Sequence, residues 1–258
     1  FFVGLHLKHR EHYHTYWKFP GIVGVPTQMA WQLPPGWRAE PIEWPEPERV
    51  FMFQIKAQGF HDEVLLPMKL TPPRELVPGT RVTLQGKATW MCCGRDCNPG
   101  FRDLALSLPV QTGPPSLDRT WSAAFERARA TVAQPALGWR VRAQRSGQRV
   151  VLRLTPESAA AREALLELQE AASVTVQPSE PTVLFFTDDG YINADKPQQL
   201  RWHGGALELD LEFSTYFSEA APPELRGVLQ SKRGWRNGSL SRSIIIRAPF
   251  RDGSLPEG

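Results

Sequence analysis

The sequence is poor in cysteine. Its three cysteines, Cys92, Cys93 and Cys97, all lie in the stretch WMCCGRDCNPG at 90–100 of the 258-residue chain. A disulfide stabilises a fold chiefly by closing a long loop in the unfolded chain, and thiols this close together could close only short loops. Stapling a large fold is therefore a poor explanation for the cluster, which points instead to chemistry.

The sequence also lacks long apolar runs and any strong excess of charge. No stretch approaches the roughly 18 apolar residues of a membrane span, so we expect no insertion into lipid. The 30 basic and 27 acidic residues give a net charge of only +3, and no run of Lys or Arg forms a local patch, which excludes a nucleic-acid surface. The chain opens in the strand-like FFVGLHLKH without a signal peptide, so we expect a mature or excised soluble piece.

Proline and tryptophan, by contrast, are abundant, with 24 and nine residues. Frequent proline interrupts helices and central strands, so the regular elements should be short. From 1 to 112, alternating runs such as RVFMFQIKAQG and RVTLQGKATWMC are separated by Pro and Gly clusters, a spacing typical of a β-sandwich. The first half is therefore predicted to be almost entirely β.

The remainder predicts a second β unit behind a linker. Residues 113–136 form the linker, with a short amphipathic helix in WSAAFERARATVA. Strands such as RVVLRLT, ALELDLEF and SRSIIIRAPF then build a second sandwich at 137–250, with a helix through ESAAAREALLELQEAA, and 251–258 is predicted to be a tail. The predicted fold is all-β with short helices, as two stacked β-sandwich domains.

Strand parity separates the three cysteines. Successive side chains of a strand face opposite sides, so Cys92 shares the apolar face with Trp90, and Cys93 comes off the polar face at the strand end. We therefore expect Cys92 to be a buried thiol. An extended segment from Cys93 to Cys97 would span about 13 Å, whereas bridged Cα atoms lie about 4.4–6.8 Å apart, so this pair can meet only if the loop folds back. A bridge between the adjacent Cys92 and Cys93 would be a strained ring and is the least favoured.

Several uses of the cysteines stay open at this point. Structural zinc normally takes four ligands from paired motifs, and no second Cys pair exists here. An inert bridge plus a buried thiol is common in exported proteins. A short, exposed bridge in a loop is more easily reduced, which favours redox exchange. Arg95 would favour a thiolate and Asp96 would oppose it, so the local charge gives no direction.

Four stretches occur in a characteristic order: YHTYWKFPGIVGVPTQMAWQLPPGW at 13–37, WPEPERV at 44–50, GFHDEVLLPMKL at 59–70 and WMCCGRDCNPG. In order and spacing they resemble the N-terminal periplasmic region of the DsbD-like thiol:disulfide interchange proteins, especially the copper-sensitivity suppressor branch. TVLFFTDDGYINADKPQQL and IIIRAPF extend the resemblance over nearly the whole chain. The family's usual NPGDSG is FPGIVG at 19–24, so the polar groups of that turn are absent.

The resemblance implies immunoglobulin-like domains and the function of a periplasmic protein-disulfide reductase module without a cofactor. Its cysteine pair would relay electrons from a membrane-embedded reductase domain, of the same or a neighbouring chain, to periplasmic thioredoxin-like proteins. The family's redox pair falls on Cys93 and Cys97, and Cys97 would form the mixed disulfide with a partner. Phe60, from GFHDE, would cover the pair, with Arg95 and Asp96 as modulating neighbours.

A copper- or zinc-binding module is the main alternative. The stretch HLKHREHYH supplies four imidazoles, and imidazole suits both metals. The candidate ligands are His6, His9, His12 and His14. On a strand, His9 would face away from the other three, which weakens the hypothesis.

Two further classes of function are less favoured. A passive sandwich could bind a partner through Trp17, Trp31 and Trp37, although such residues more often pack in a core. A nucleophilic hydrolase is not expected, because no serine lies in a nucleophile elbow.

Overall fold

The structure, a computed structural model, describes residues 1–114, 117–174, 182–216, 222–236 and 241–252. Strands dominate these residues, and two helices interrupt them. The predicted all-β fold with short helices is confirmed. No helix in the described ranges is long and apolar enough to span a membrane.

The first half folds into three small antiparallel sheets. Its strands are β1 (Phe2–Lys8), β2 (Thr15–Tyr16), β3 (Gln28–Gln32), β4 (Arg38–Ile42), β5 (Glu48–Met52), β6 (Ile55–Phe60), β7 (Glu63–Thr71), β8 (Arg81–Cys93) and β9 (Cys97–Pro109). They pair in the orders β1-β7-β4, β2-β6-β5 and β3-β8-β9. Strand β8 buries Leu84 and Ala88 in a cluster with residues of β1 and β7, and it buries Cys93 at its end in a cluster with residues of β2, β5 and β6.

The second half is built on one large sheet. Its elements are α1 (Ser122–Ala130), β10 (Gln134–Pro135), β11 (Trp139–Ser146), β12 (Arg149–Pro156), α2 (Ala159–Val174), β13 (Val183–Thr187), β14 (Gln199–His203), β15 (Ala206–Glu212), β16 (Glu224–Ser231) and β17 (Ser243–Asp252). The sheet has the order β13-β16-β17-β11-β12-β15-β14, and β10 pairs with β17. Helix α2 buries Ala161, Ala164, Leu165 and Leu168, the i, i+3, i+4, i+7 stripe of an amphipathic helix.

The end of the chain differs from the prediction. Residues 251 and 252 belong to β17 rather than to a tail, because the parallel pairing of β11 with β17 continues to the end of that strand. Residues 253–258 of the predicted tail lie outside the described residues.

The two halves share one of their cores. The cluster around Leu66 and Leu84 in the first half also contains Leu184, Phe186 and Val228 from the second half. These residues come from β13 and β16, the end of the large sheet. The halves are therefore packed against each other through buried apolar side chains, in addition to the linker that joins them.

Polar contacts reinforce this packing along β6. The Gln58 side chain is buried and donates from Nε2 to the Phe19 and Thr187 carbonyls, at 2.6 and 2.8 Å, while its Oε1 accepts from the Thr187 amide at 2.9 Å. Asp195 accepts the Lys56 amide at 2.9 Å, and the Lys56 ammonium donates to the Asp195 carbonyl at 2.9 Å. The second half thus holds the strand that lies beside the cysteine hairpin.

Candidate functional site

A disulfide joins Cys93 and Cys97 at the tip of the β8–β9 hairpin, with Cα atoms 4.1 Å apart. The tight turn Gly94–Arg95–Asp96 brings the two strands back into register, and the Gly94 amide donates to the Asp96 carbonyl at 2.9 Å. A Cβ at Gly94 would lie 2.7 Å from the His12 carbonyl oxygen and 3.0 Å from the Tyr13 ring. Only glycine therefore lets the turn approach the preceding segment this closely.

The two bridged cysteines have very different environments. Cys93 is completely buried and packs in a cluster with Tyr16, Val50 and Ala57, whereas Cys97 is exposed. A thiolate arriving from solvent therefore meets the Cys97 side of the bridge. Cys93 is the sulfur that would be released into the protein interior.

The parity prediction for Cys92 and Cys93 was wrong. Leu84 and Ala88 are buried as expected, but at the end of β8 the opposite face is covered too, and Cys93 is buried while Cys92 is only partly buried. The cause is the sheet β2-β6-β5, which packs on the face that carries Met91 and Cys93. A strand whose two ends pack against different sheets can bury a different face at each end, and alternation within the strand does not reveal that change.

Cys92 is a free, partly buried thiol. Burial raises its pKa, and the nearby Asp96 carboxylate raises it further. A raised pKa leaves less of the thiol as thiolate at neutral pH, and the thiolate is the nucleophile. Cys92 is thus poorly suited to compete with the bridged pair in exchange.

Met52, rather than Phe60, lies against the bridge. The Met52 Sδ is 3.7 Å from the Cys97 Sγ, a packing contact between sulfur atoms because the oxidised Cys97 has no thiol hydrogen. Phe60 is instead buried in the shared core, stacked on Trp44 with ring centroids 6.4 Å apart. The prediction that Phe60 covers the pair was wrong, because the GFH segment ends a central strand whereas Met52 ends β5 beside the hairpin tip.

The turn residues Arg95 and Asp96 are both exposed. The Tyr13 hydroxyl donates to Asp96 Oδ1 at 2.5 Å, and this hydrogen bond lowers the pKa of Asp96 and raises that of Tyr13. Asp96 therefore remains a carboxylate that ties the turn to the segment before β2. A modulating role for either residue stays a prediction.

The four histidines proposed as metal ligands do not converge. His6 lies 3.3 Å from Glu63, His12 is exposed in a left-handed turn, and His9 contacts the Asp62 carbonyl and the Thr15 hydroxyl at 3.1 and 2.9 Å. Within the part of the chain that the structure describes, no three His, Cys, Asp or Glu side chains form a group that could hold a metal ion. The geometry gives the metal hypothesis no support.

His14 lies beside the bridge. Its amide donates to the Cys93 carbonyl at 2.9 Å and its carbonyl accepts from the Cys93 amide at 3.0 Å. The side chain is buried, and burial together with the neighbouring His61 and His9 lowers the pKa of His14 to about 4. His14 is therefore neutral at physiological pH.

The proposed binding tryptophans are core residues. Trp17 is buried, and Trp31 and Trp37 pack against the core shared by the two halves. The contacts missed from the sequence are those of His14 and Met52 with the bridge. The first is a backbone pairing and the second a packing contact, and both join segments distant in the sequence, for which hydrophobic periodicity carries no signal.

Comparison with known proteins connects this geometry with a family. Residues 1–109 match the family model for the N-terminal region of the thiol:disulfide interchange protein DsbD. This part of the chain resembles DsbD. The match ends at the last residue of β9, so the DsbD-like region contains all three cysteines together with His14 and Met52 beside the bridge. No curated protein matches the sequence.

The whole chain is similar in fold to a solved structure. The crystal structure of the N-terminal periplasmic domain of ScsB from Proteus mirabilis aligns with a TM-score of 0.61 at 19% identity, covering 96% of this chain and 87% of that one. This likeness supports the immunoglobulin-like β-sandwich architecture beyond the DsbD-like region. The resemblance inferred from the sequence is thereby confirmed.

Proposed function

We propose that this chain is a thiol-disulfide exchange module that works through the Cys93–Cys97 bridge. The observation that carries the proposal is the asymmetry of that bridge, with Cys97 exposed and Cys93 completely buried at the tip of a hairpin. An asymmetric, solvent-facing disulfide has one sulfur open to attack and one sheltered leaving sulfur. The match of residues 1–109 to the DsbD N-terminal region supports the same function.

The exchange follows from this arrangement. A partner thiolate attacks Cys97 Sγ, the Cys93–Cys97 bond breaks, and the bonding electron pair leaves on Cys93. A second partner thiolate then attacks the partner's sulfur in the mixed disulfide and releases Cys97. The partner becomes oxidised and this chain holds two thiols. The reverse sequence passes the two electrons to the next partner.

The proposal also covers the direction of electron flow and the protein partners. Electrons would come from a membrane-embedded reductase domain of the same or a neighbouring chain and leave to thioredoxin-like proteins in the periplasm. The support is the DsbD-like region and the similarity to a domain described as periplasmic in ScsB. Met52 would shield Cys97 between encounters, since its thioether contacts that sulfur.

We propose that the redox domain comprises residues 1–112 and that a second sandwich domain comprises 137–250, with 113–136 as the linker between them. This division is supported by the strand pairing, since among the described strands β1 to β9 pair only with one another in their sheets, and so do β10 to β17. The shared core predicts that the two domains unfold together.

Reduction of a thioredoxin-like acceptor by this protein tests the function. Wild-type protein, Cys93→Ser and Cys92→Ser would each be reduced and offered an oxidised acceptor. We expect turnover by the wild type and Cys92→Ser, and only a trapped mixed disulfide with Cys93→Ser. Equal turnover by all three proteins would reject the proposal.

A further inference from the structure

Two buried polar side-chain atoms beside the bridge, the His14 Nε2 and the Tyr16 hydroxyl, have no hydrogen-bond partner among the residues that the structure describes. Buried polar atoms are rarely left unpaired, because each loses its hydrogen bonds to water and gains nothing in return. Both residues belong to the short segment that precedes or forms β2, next to Cys93. Two such atoms beside one cysteine point to another state of the protein, in which at least one of them has a hydrogen-bond partner.

His14 has the geometry to meet Cys93. The two residues are directly opposite each other in an antiparallel bridge, with both backbone hydrogen bonds formed between them. Directly opposite residues project their side chains to the same face, from Cα atoms about 5.5 Å apart. The His14 and Cys93 side chains therefore project from the same face of the bridge, and both residues are buried.

The neighbours of His14 keep it neutral. Its ring meets the edge of the Tyr16 ring, with centroids 5.1 Å apart, and the His61 ring at 6.0 Å. His61 in turn lies 2.9 Å from Glu48, and His9 adds a second nearby imidazole. A neutral imidazole has one nitrogen that accepts a hydrogen bond and one that donates.

Reduction changes what Cys93 offers to this nitrogen. In the disulfide, the Cys93 sulfur has no hydrogen to donate. When two glutathione molecules or one dithiol reduce the bridge, two electrons and two protons convert it into two thiols while the reductant becomes a disulfide, and one S–H group is created at the buried Cys93. A buried thiol is held in its neutral form, since burial disfavours the thiolate.

We propose that the His14 Nε2 accepts a hydrogen bond from the Cys93 thiol in the reduced protein, so that His14 is a positioning residue that favours the reduced state. This inference rests on the proposed function for its biological sense, although the redox equilibrium can be measured without any protein partner. The oxidised form leaves Nε2 unpaired and the reduced form pairs it. The difference shifts the equilibrium of the bridge toward the dithiol.

The equilibrium with glutathione provides the first test. For His14→Leu we expect the equilibrium constant to shift about fivefold toward the disulfide, the size of one net hydrogen bond. His14→Gln retains an acceptor and should recover much of the wild-type value. His9→Leu is the matched control, because both ring nitrogens of His9 already have partners in the oxidised protein, and its equilibrium constant should stay within about twofold of wild type.

Nitrogen NMR of the wild-type protein provides the second test and does not depend on whether a variant folds. The resonance of the His14 acceptor nitrogen should move when the bridge is reduced, while the His9 nitrogens should stay in place. An unchanged His14 resonance, or equal equilibrium shifts in His14→Leu and His9→Leu, would overturn the inference. If the predicted shifts occur but no thioredoxin-like protein exchanges with the bridge, the proposed function fails and the role of His14 stands.

Discussion

The two halves of this protein differ in how they use their strands. The second half builds one eight-stranded sheet around a large apolar core that includes Leu152, Leu209 and Trp235. The first half divides its nine strands among three small sheets and places the Cys93–Cys97 bridge where two of them meet. The second half, with its single sheet, supports the first. In the first half two small sheets meet, and there Cys93 is buried on a strand face that is otherwise mostly polar.

The difference shows how a site with buried polar groups can be maintained. The unpaired His14 and Tyr16 atoms cost stability in the first half. The second half adds shared core residues and the contacts of Gln58 and Lys56, which hold β6 in place. Substitutions in the two halves should therefore separate the stability of the protein from the redox behaviour of the bridge.

The largest effect is expected at the bridge itself. Cys97→Ser should abolish exchange completely, because it removes the exposed sulfur on which the mechanism depends. Cys92→Ser should leave exchange close to wild type, since Cys92 lies outside the bridge and its pKa is raised. Thiol counting before and after mild reduction checks both variants. Loss of exchange in Cys92→Ser would show that the wrong cysteine has been assigned to the pair.

A core substitution in the second half should change stability alone. Leu209 is completely buried, and Leu209→Ala should lower the free energy of unfolding by about 2–5 kcal/mol. The glutathione equilibrium of the bridge should remain unchanged, because Leu209 lies in the core of the second half and not in the cluster around Cys93. Urea unfolding and a glutathione titration of the same variant give the two readouts.

Val50→Ala is the matched substitution in the first half. It also removes buried methyl groups, but from the cluster that packs on Cys93, and should therefore raise the rate at which thiols reduce the bridge. If thiols reduced the bridge at the same rate in Leu209→Ala and Val50→Ala, the proposed difference between the two halves would be wrong.

Acidification should destabilise the protein through His14. Its pKa is about 4 in the folded protein and about 6.5 when unfolded, so between these values the unfolded state binds more protons. Stability should consequently fall as the pH drops from about 6.5 to about 4, by at most about 3 kcal/mol from this residue. The lowered pKa of His9 acts in the same direction.

Urea unfolding at pH 7 and pH 4.5, with the bridge kept oxidised, measures this dependence. His14→Gln should flatten it, because glutamine does not titrate. If the stability of His14→Gln fell equally steeply between pH 7 and pH 4.5, the pH dependence would come from another residue.

The smallest of these effects concerns the contact between halves. Gln58→Ala leaves the Thr187 backbone amide and carbonyl without their partner and should cost about 1–3 kcal/mol of stability. Gln198→Ala is a close control, since Gln198 binds the Phe185 amide and carbonyl in the same two-point manner inside the second half, both at 2.8 Å. Only Gln58→Ala should also speed reduction of the bridge by loosening β6. Identical reduction rates in the two variants would show that the second half does not support the site.

Much of this fold was accessible from the sequence. Alternating apolar residues predicted β8, and the same periodicity holds in β17, where Ile244, Ile246 and Ala248 are buried. The stripe in ESAAAREALLELQEAA predicted α2 for the same reason, since each pattern depends only on neighbours within one element. The turn at GRDCNPG was expected to bring Cys93 and Cys97 together, and it does.

What escaped prediction depends on how distant segments meet. The burial of Cys93 requires the sheet β2-β6-β5 to cover the end of β8, and the contact of Met52 with Cys97 requires β5 to end beside the hairpin tip. Phe60 was predicted to cover the bridge because GFHDE resembles a family segment expected to form a loop. In the structure Phe60 ends a strand and stacks on Trp44 in the core. Periodicity within a segment reports which faces are apolar and does not report which sheet will cover them.

The most direct test of the account is to identify the sulfur that an incoming thiolate attacks. Oxidised wild-type protein would be mixed with a reduced thioredoxin-like protein whose second active-site cysteine is replaced by serine, quenched with acid, and mapped by mass spectrometry. The exposure of Cys97 and the complete burial of Cys93 predict that the partner is attached to Cys97. Attachment mainly to Cys93, or to Cys92, would contradict the asymmetry on which the proposed mechanism rests.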